Sequence, residues 1–176
     1  GNFIYSEEMG KWVMSRFYPF QWDLNYHNPK VMQERIETIL FLANLGADAI
    51  RLDAATGIWK DTENYTSAME PAYTIIRIMH IAAEIVCPTL IFKGEVLTIP
   101  SKVPQFFGTS EQQRCQLLYG ANGMANLWNA LATQDTRMIK ASMDQFHSLP
   151  DNCNFVNYIR CHDDLGWALD PDIEQS

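Results

Sequence analysis

Hydrophobic and polar positions along this chain switch between a helical and a strand period. After Asn28-Pro29, Met32, Ile36, Leu40 and Ala43 recur at helical spacing as far as Gly46. Asn28 suits an N-cap, Pro29 the first helical position and Gly46 the residue past the C-terminus. Ala47–Leu52 is then an apolar run of strand length ending at Asp53. Residues 60–68 are polar and turn-like. A second helix is predicted from Met69 to Val86, with Tyr73, Ile76, His80 and Ala83 on one stripe and Pro88 beyond its end. Thr89–Lys93 reads as a buried strand ending at Gly94-Glu95, and Gln116–Tyr119 as a third strand after a loop marked by Pro100 and Pro104. Helices are predicted over 123–133 and 136–147, the second capped by Asp135. Asn154–Arg160 closes the series as a fourth strand, running into Cys161-His162-Asp163-Asp164. Residues 1–27 crowd Trp12, Phe17, Tyr18, Phe20, Trp22 and Tyr26 around Pro19, which predicts a packed loop with at most a short helix.

Strands separated by helices are βαβ units, and these imply parallel pairing with right-handed crossovers: an α/β fold. Neither glycine-rich nucleotide fingerprint is present. Composition adds that 47% of the 176 residues are hydrophobic, enough for a sizeable core. A formal charge of -8 argues against nucleic acid or an anionic membrane surface as a partner. Nothing is long and apolar enough to span a bilayer, and no signal peptide is visible. Cys87, Cys115, Cys153 and Cys161 form no C-x-x-C pair and read as reduced, half-buried thiols of a cytoplasmic protein. No zinc or other metal site is expected, because no two Cys or His residues are placed at the usual ligand spacing. No cofactor is implied.

Three predicted strands end in an acid: Asp53, Glu95 and Asp163. In a parallel sheet or barrel, ligands meet the protein at the carboxyl ends of the strands. One strand-end acid more often caps the following turn, but three in one short chain, beside Arg51 and His162, point to a site. Converging carboxylates suit glycoside hydrolysis or transfer, where an ionised nucleophile faces a protonated acid roughly 5–5.5 Å away. Arg51 and Asp53, two apart on a strand, share a side, so the guanidinium would keep Asp53 charged. Gly94 leaves room for a sugar ring or another strand. An apolar surrounding for Glu95 would keep it protonated as a general acid.

At these residues the chain resembles a known family. Arg51-Leu52-Asp53-Ala54-Ala55, Phe92-Lys93-Gly94-Glu95 and Arg160-Cys161-His162-Asp163-Asp164 are similar to the successive catalytic segments of the α-amylase superfamily. Phe20–Tyr26, Phe41–Gly46, Ile58–Lys60 and His162–Trp167 are worded most like amylosucrases. The resemblance implies a partial TIM (β/α)8 barrel, about strands 4 to 7 with their helices. Residues 1–27 would precede the nucleophile strand, 28–170 form half of the catalytic barrel, and 171–176 a tail. It implies Asp53 as nucleophile, Arg51 orienting it, and Glu95 as acid and then base. Asp163 would stabilise the oxocarbenium-like transition state with His162 beside it, Phe17 would lie near the reacting sugar, and Asp164 would support the site. The substrate implied is sucrose or an α-glucan, with glucose passing to a glucan acceptor or water. An α-glucosidase or amylase-type hydrolase is the alternative, as is a half-barrel without activity of its own. A full barrel takes about 250 residues, so the chain reads as a fragment, its edges covered by an oligomer or by the missing half.

Overall fold

The structure, a computed structural model, describes residues 3–61, 66–67, 69–143 and 149–163. Its centre is a four-stranded parallel sheet of β3 (Ala49–Leu52), β6 (Ile91–Gly94), β7 (Leu117–Tyr119) and β8 (Asn154–Val156), paired in that order. Neighbours in space are neighbours in sequence, the singly wound order of an arc of a (β/α)8 barrel, with no reversal as in a doubly wound sheet. The crossover from β3 to β6 is α2 (Met69–Val86), and that from β7 to β8 carries α3 (Ala121–Thr133) and α4 (Arg137–Met143). Between β6 and β7 the described backbone forms only a 3-10 helix, Pro100–Phe106, because Pro100 and Pro104 cannot sustain an α-helical ladder.

The helix signals act as read. In α1 (Pro29–Asn44) the Asn28 side chain accepts from Lys30 N at 3.1 Å. Gly46 takes φ +94° beyond the C-cap, and its N–H donates to Ala43 O at 2.9 Å. Asp135 caps α4 by accepting from Arg137 N at 2.9 Å. The strands are shorter than their apolar runs: β8 ends at Val156 rather than Arg160, so residues 157–163 leave the sheet as a loop. The predicted end of α4 at 147 and the tail from 171 lie outside the described residues.

The N-terminal region differs from the packed loop expected. Phe3–Ser6 (β1) and Lys11–Met14 (β2) pair as an antiparallel hairpin, turned at Gly10 with φ +62°. Most of the aromatic crowd is on the outside: Trp12, Phe17, Tyr18, Phe20 and Trp22 are exposed, and Tyr26 is the member packed on the core. The polar stretch after the first sheet strand holds a second small ladder, β4 (Lys60–Asp61) against β5 (Thr66–Ser67).

The core lies between the sheet and α2. Phe92, Leu118, Val96 and Cys115 from the sheet side meet Ile76, Val103, Phe106 and Phe107 and are sealed from solvent. Gly94 belongs to this packing. A Cβ there would stand 2.8 Å from Leu118 Cδ2 and 3.2 Å from Cys115 Sγ, so the missing side chain admits the neighbouring strand and not a sugar ring. The four cysteines are free thiols, Cys115 and Cys153 buried and the other two half-buried. Among the described residues no helix is long and apolar enough to cross a membrane.

Candidate active site

Two strand ends bring the first acids together. Asp53 follows β3 and Glu95 follows β6, and the ladder continues past both, with Glu95 N donating to Leu52 O at 2.9 Å and Ala55 N to Glu95 O at 3.0 Å. Between them Ala54 is held at φ +43°, a left-handed conformation that a residue with a Cβ rarely takes. That turn points the Ala54 N–H at Glu95 Oε2, 3.0 Å away, and leads into the fully buried 3-10 turn Ala55–Gly57. Asp53 therefore projects from a rigid corner, with 69% of its side chain exposed.

Arg51 links both carboxylates: Nη1 contacts Asp53 and Nη2 contacts Glu95. It rests near the Tyr119 ring, with its Cζ 5.7 Å from the centroid, and Lys93 Nζ approaches the same ring at 4.8 Å. Partial burial works against the guanidinium's charge, but Asp53, Glu95 and Tyr119 together hold its pKa above the ordinary arginine value. The pairing of Arg51 with Asp53 follows the period-two reading. The apolar surrounding expected for Glu95 is not what the structure has. One carboxyl oxygen faces Arg51 and the other a backbone N–H, because the strand register sets Arg51 beside Lys93 and brings its side chain across to the next strand end.

Asp163 is not at a strand end. It arrives on the loop after β8, where its N–H donates to Cys161 Sγ at 3.4 Å and its carbonyl accepts from Arg160 Nη1 at 3.1 Å. His162 Nε2 lies 3.4 Å from Asp163 Oδ2, with three-quarters of its side chain exposed. Two adjoining hollows share Glu95, Leu97, His162 and Asp163. The smaller, about 210 Å³, is also walled by Arg51, Tyr119, Met124, Tyr158 and Cys161. The larger, about 940 Å³, adds Asp53, Ala54, Thr56 and the N-terminal Arg16, Phe17, Tyr18 and Gln21. The structure thus gathers Asp53, Glu95, Asp163, Arg51, His162 and Phe17 around one cleft; Asp164 lies outside the described residues.

Several lining residues had no part in the sequence reading. Tyr119 sits at the end of β7 as the acids do after β3 and β6, a position a search confined to acids passes over. Tyr158 crosses Tyr119 edge to face at 5.6 Å, and burial, reinforced by Cys161, Glu95 and Asp163, pushes its phenol well up. Arg16 is pressed against Gly57: a Cβ on that glycine would lie 2.3 Å from Arg16 Nη1. Of the tryptophans in the N-terminal half, Trp12 and Trp22 are exposed, and Trp59 packs on the core with His27 against it at 4.0 Å. One grouping lies outside what ligand spacing in the sequence would suggest. Cys161 Sγ, a His162 ring nitrogen and an Asp163 oxygen all lie within 4.8 Å of one another, since a tight loop can converge consecutive side chains without any gapped motif.

A family model described as "Alpha amylase, catalytic domain" matches residues 2–165. The glucosylglycerate phosphorylase of Allomeiothermus silvanus is 29% identical over 156 residues, covering 89% of this chain and 28% of that protein. The trehalose synthase of a Pimelobacter species is 23% identical, over 93% of this chain and 30% of its own length. Among solved structures, the α-glucosyl transfer enzyme XgtA superposes with a TM-score of 0.73 at 16% identity, covering 92% of this chain and 34% of that one. Isomaltulose synthase from Erwinia rhapontici NX5 gives 0.71 at 13% identity, over 91% and 32%. The chain spans under a third of the length of these curated relatives.

Proposed function

The chain belongs to the alpha amylase catalytic-domain family, and from that premise we propose that it carries the reacting carboxylates of an amylosucrase-like, retaining glucosyl-transfer enzyme. The observation behind this reading is the single guanidinium of Arg51 set between Asp53 and Glu95 at the carboxyl end of the sheet. In the proposed reaction the Asp53 carboxylate attacks the anomeric carbon of an α-glucoside and the glycosidic bond breaks. Glu95 delivers its proton to the departing oxygen, leaving a covalent glucosyl ester on Asp53. Glu95, now a carboxylate, takes the proton of the acceptor hydroxyl as that oxygen displaces Asp53, returning both groups to their starting states. Arg51 fixes the aim of Asp53, and Asp163 with His162 binds sugar hydroxyls and offsets positive charge as the ring flattens. Phe17, exposed at the mouth of the larger hollow, offers an apolar face to the ring.

Sucrose is proposed as donor from the wording of Phe20–Tyr26 and His162–Trp167. The names of the curated relatives, glucosylglycerate phosphorylase and trehalose synthase, also concern glucosyl compounds. The remaining barrel strands, which this segment of the relatives' length does not include, would close the sugar site and cover the sheet edges. The test compares donors in the full-length protein. Sucrose should release fructose in step with transfer of glucose to a glucan or water. Turnover of maltooligosaccharides with no fructose from sucrose would replace this reading with an amylase-type hydrolase.

A further inference from the structure

The loop after β8 presents three chemically different ligands in one place. Cys161 Sγ, a His162 ring nitrogen and an Asp163 carboxylate oxygen lie within 4.8 Å of one another. We propose that these residues form an inhibitory site for Zn2+, at the wall of the cleft that holds Glu95. The donors choose the ion. Thiolate and imidazole favour zinc over magnesium or calcium, which seek oxygen, and the carboxylate completes a three-residue set that leaves the fourth tetrahedral position to water. Two features make the set usable. His162 is mostly exposed and Cys161 and Asp163 are half-buried, so an ion can enter from the cleft. The present partners of the donors are also replaceable: Sγ accepts from the Asp163 N–H at 3.4 Å and shares a hydrogen bond with the Tyr158 side chain, and His162 Nε2 stands 3.4 Å from Asp163 Oδ2. Ligands of a tetrahedral zinc need to close up by only about 1 Å from this arrangement, given bonds of about 2.0–2.3 Å. On binding, the Cys161 thiol gives its proton to solvent and a thiolate–zinc bond forms, with no change in oxidation state.

Binding rests on the donor set alone; its effect on turnover rests on the role proposed above for Asp163. A carboxylate engaged by zinc cannot receive sugar hydroxyls, and the ion would occupy the smaller hollow beside Tyr158 and Glu95. The experiment uses the full-length protein and Co2+ as a coloured substitute. One equivalent of Co2+ should produce visible bands of tetrahedral cobalt with thiolate-to-metal charge transfer, and Zn2+ should bleach them. Cys161→Ser, checked for folding by circular dichroism, should lose the charge-transfer band and bind Zn2+ at least about tenfold more weakly. His162→Ala should weaken it similarly, and Cys87→Ser should change neither. Zn2+ should inhibit turnover competitively with the glucosyl donor, and inhibition should weaken with Cys161→Ser. Absence of a thiolate band, or a band surviving Cys161→Ser and lost with Cys87→Ser, overturns the site. Cobalt bound through Cys161 without loss of turnover keeps the site and removes Asp163 from the reaction.

Discussion

Asp53 stands one residue beyond its strand on a corner held by a strained Ala54 and a buried turn, with Arg51 against its carboxylate. No other group in the described cleft combines such exposure with a fixed cation beside it. In the full-length protein, Asp53→Asn should therefore lower kcat by at least about a thousandfold, as loss of a nucleophile does, while the thermal midpoint shifts by no more than a few degrees. Retention of more than a few per cent of wild-type turnover would remove Asp53 from that role. Gly57 makes a subtler claim. Its φ is ordinary, so a methyl there causes no backbone strain, but it would meet the guanidinium end of Arg16 at 2.3 Å. That end is flexible and can move, at the cost of leaving the wall it shares with Phe17 and Asp53. Gly57→Ala should raise KM several-fold with kcat and stability nearly unchanged; steady-state kinetics beside a melting curve would show a stability loss instead if the glycine were merely structural. The acids were legible because a charge at the end of an apolar run is conspicuous. The reach of Arg51 to Glu95 was not, since it depends on β3 and β6 pairing in a register that no local pattern encodes.

Among the elements, helix ends were the most legible parts of the fold. Asn28, Asp135 and Gly46 satisfy or release backbone groups within their own turn, so the sequence contains the whole interaction. Strand ends depend on a partner. The run Asn154–Arg160 has strand composition, yet the β7 strand that pairs with it stops at Tyr119, and β8 stops with it at Val156. The hairpin of β1 and β2 was hidden for a different reason: aromatic crowding suggested burial, although most of those rings lie outside. Helix α2 offers a measurable consequence of its packing. His80 is 6% exposed on its buried stripe, edge-on to Phe92, and burial holds its imidazole below the ordinary value of 6.5. Glu84 opposes that shift and Arg77 adds to it. As pH falls through 6.5 the unfolded chain takes up the proton before the folded one, so stability is lost from there down to the depressed folded-state pKa and is unaffected above. The melting temperature should fall as the pH is taken below 6.5, and less steeply in His80→Gln; equal slopes would show that His80 carries none of the effect.

For the molecule as a whole, the open arc is the governing fact. Within the described residues β3 and β8 each have one partner, and an open parallel edge offers a further strand a place to pair, which invites association. The helices compound this. Phe41 and Leu45 of α1 and its C-cap are 60% and 67% exposed, and Ile85 and Val86 of α2 are 77% and 64% exposed. These are surfaces that further barrel elements would cover, and Asp53 shows the same openness at the site. Reaction through a glucosyl ester needs water kept away until the acceptor arrives, and a carboxylate 69% exposed is not so protected. The 176-residue segment expressed alone should therefore fold its core but associate as concentration rises, seen as a growing mass in light scattering. It should release no fructose from sucrose and no glucose from maltooligosaccharides. If the segment were monomeric at all concentrations, the exposed edges would not be the liability described. Turnover by the segment alone would show that Asp53, Glu95 and Asp163 need no wall beyond the four strands and the loops that follow them.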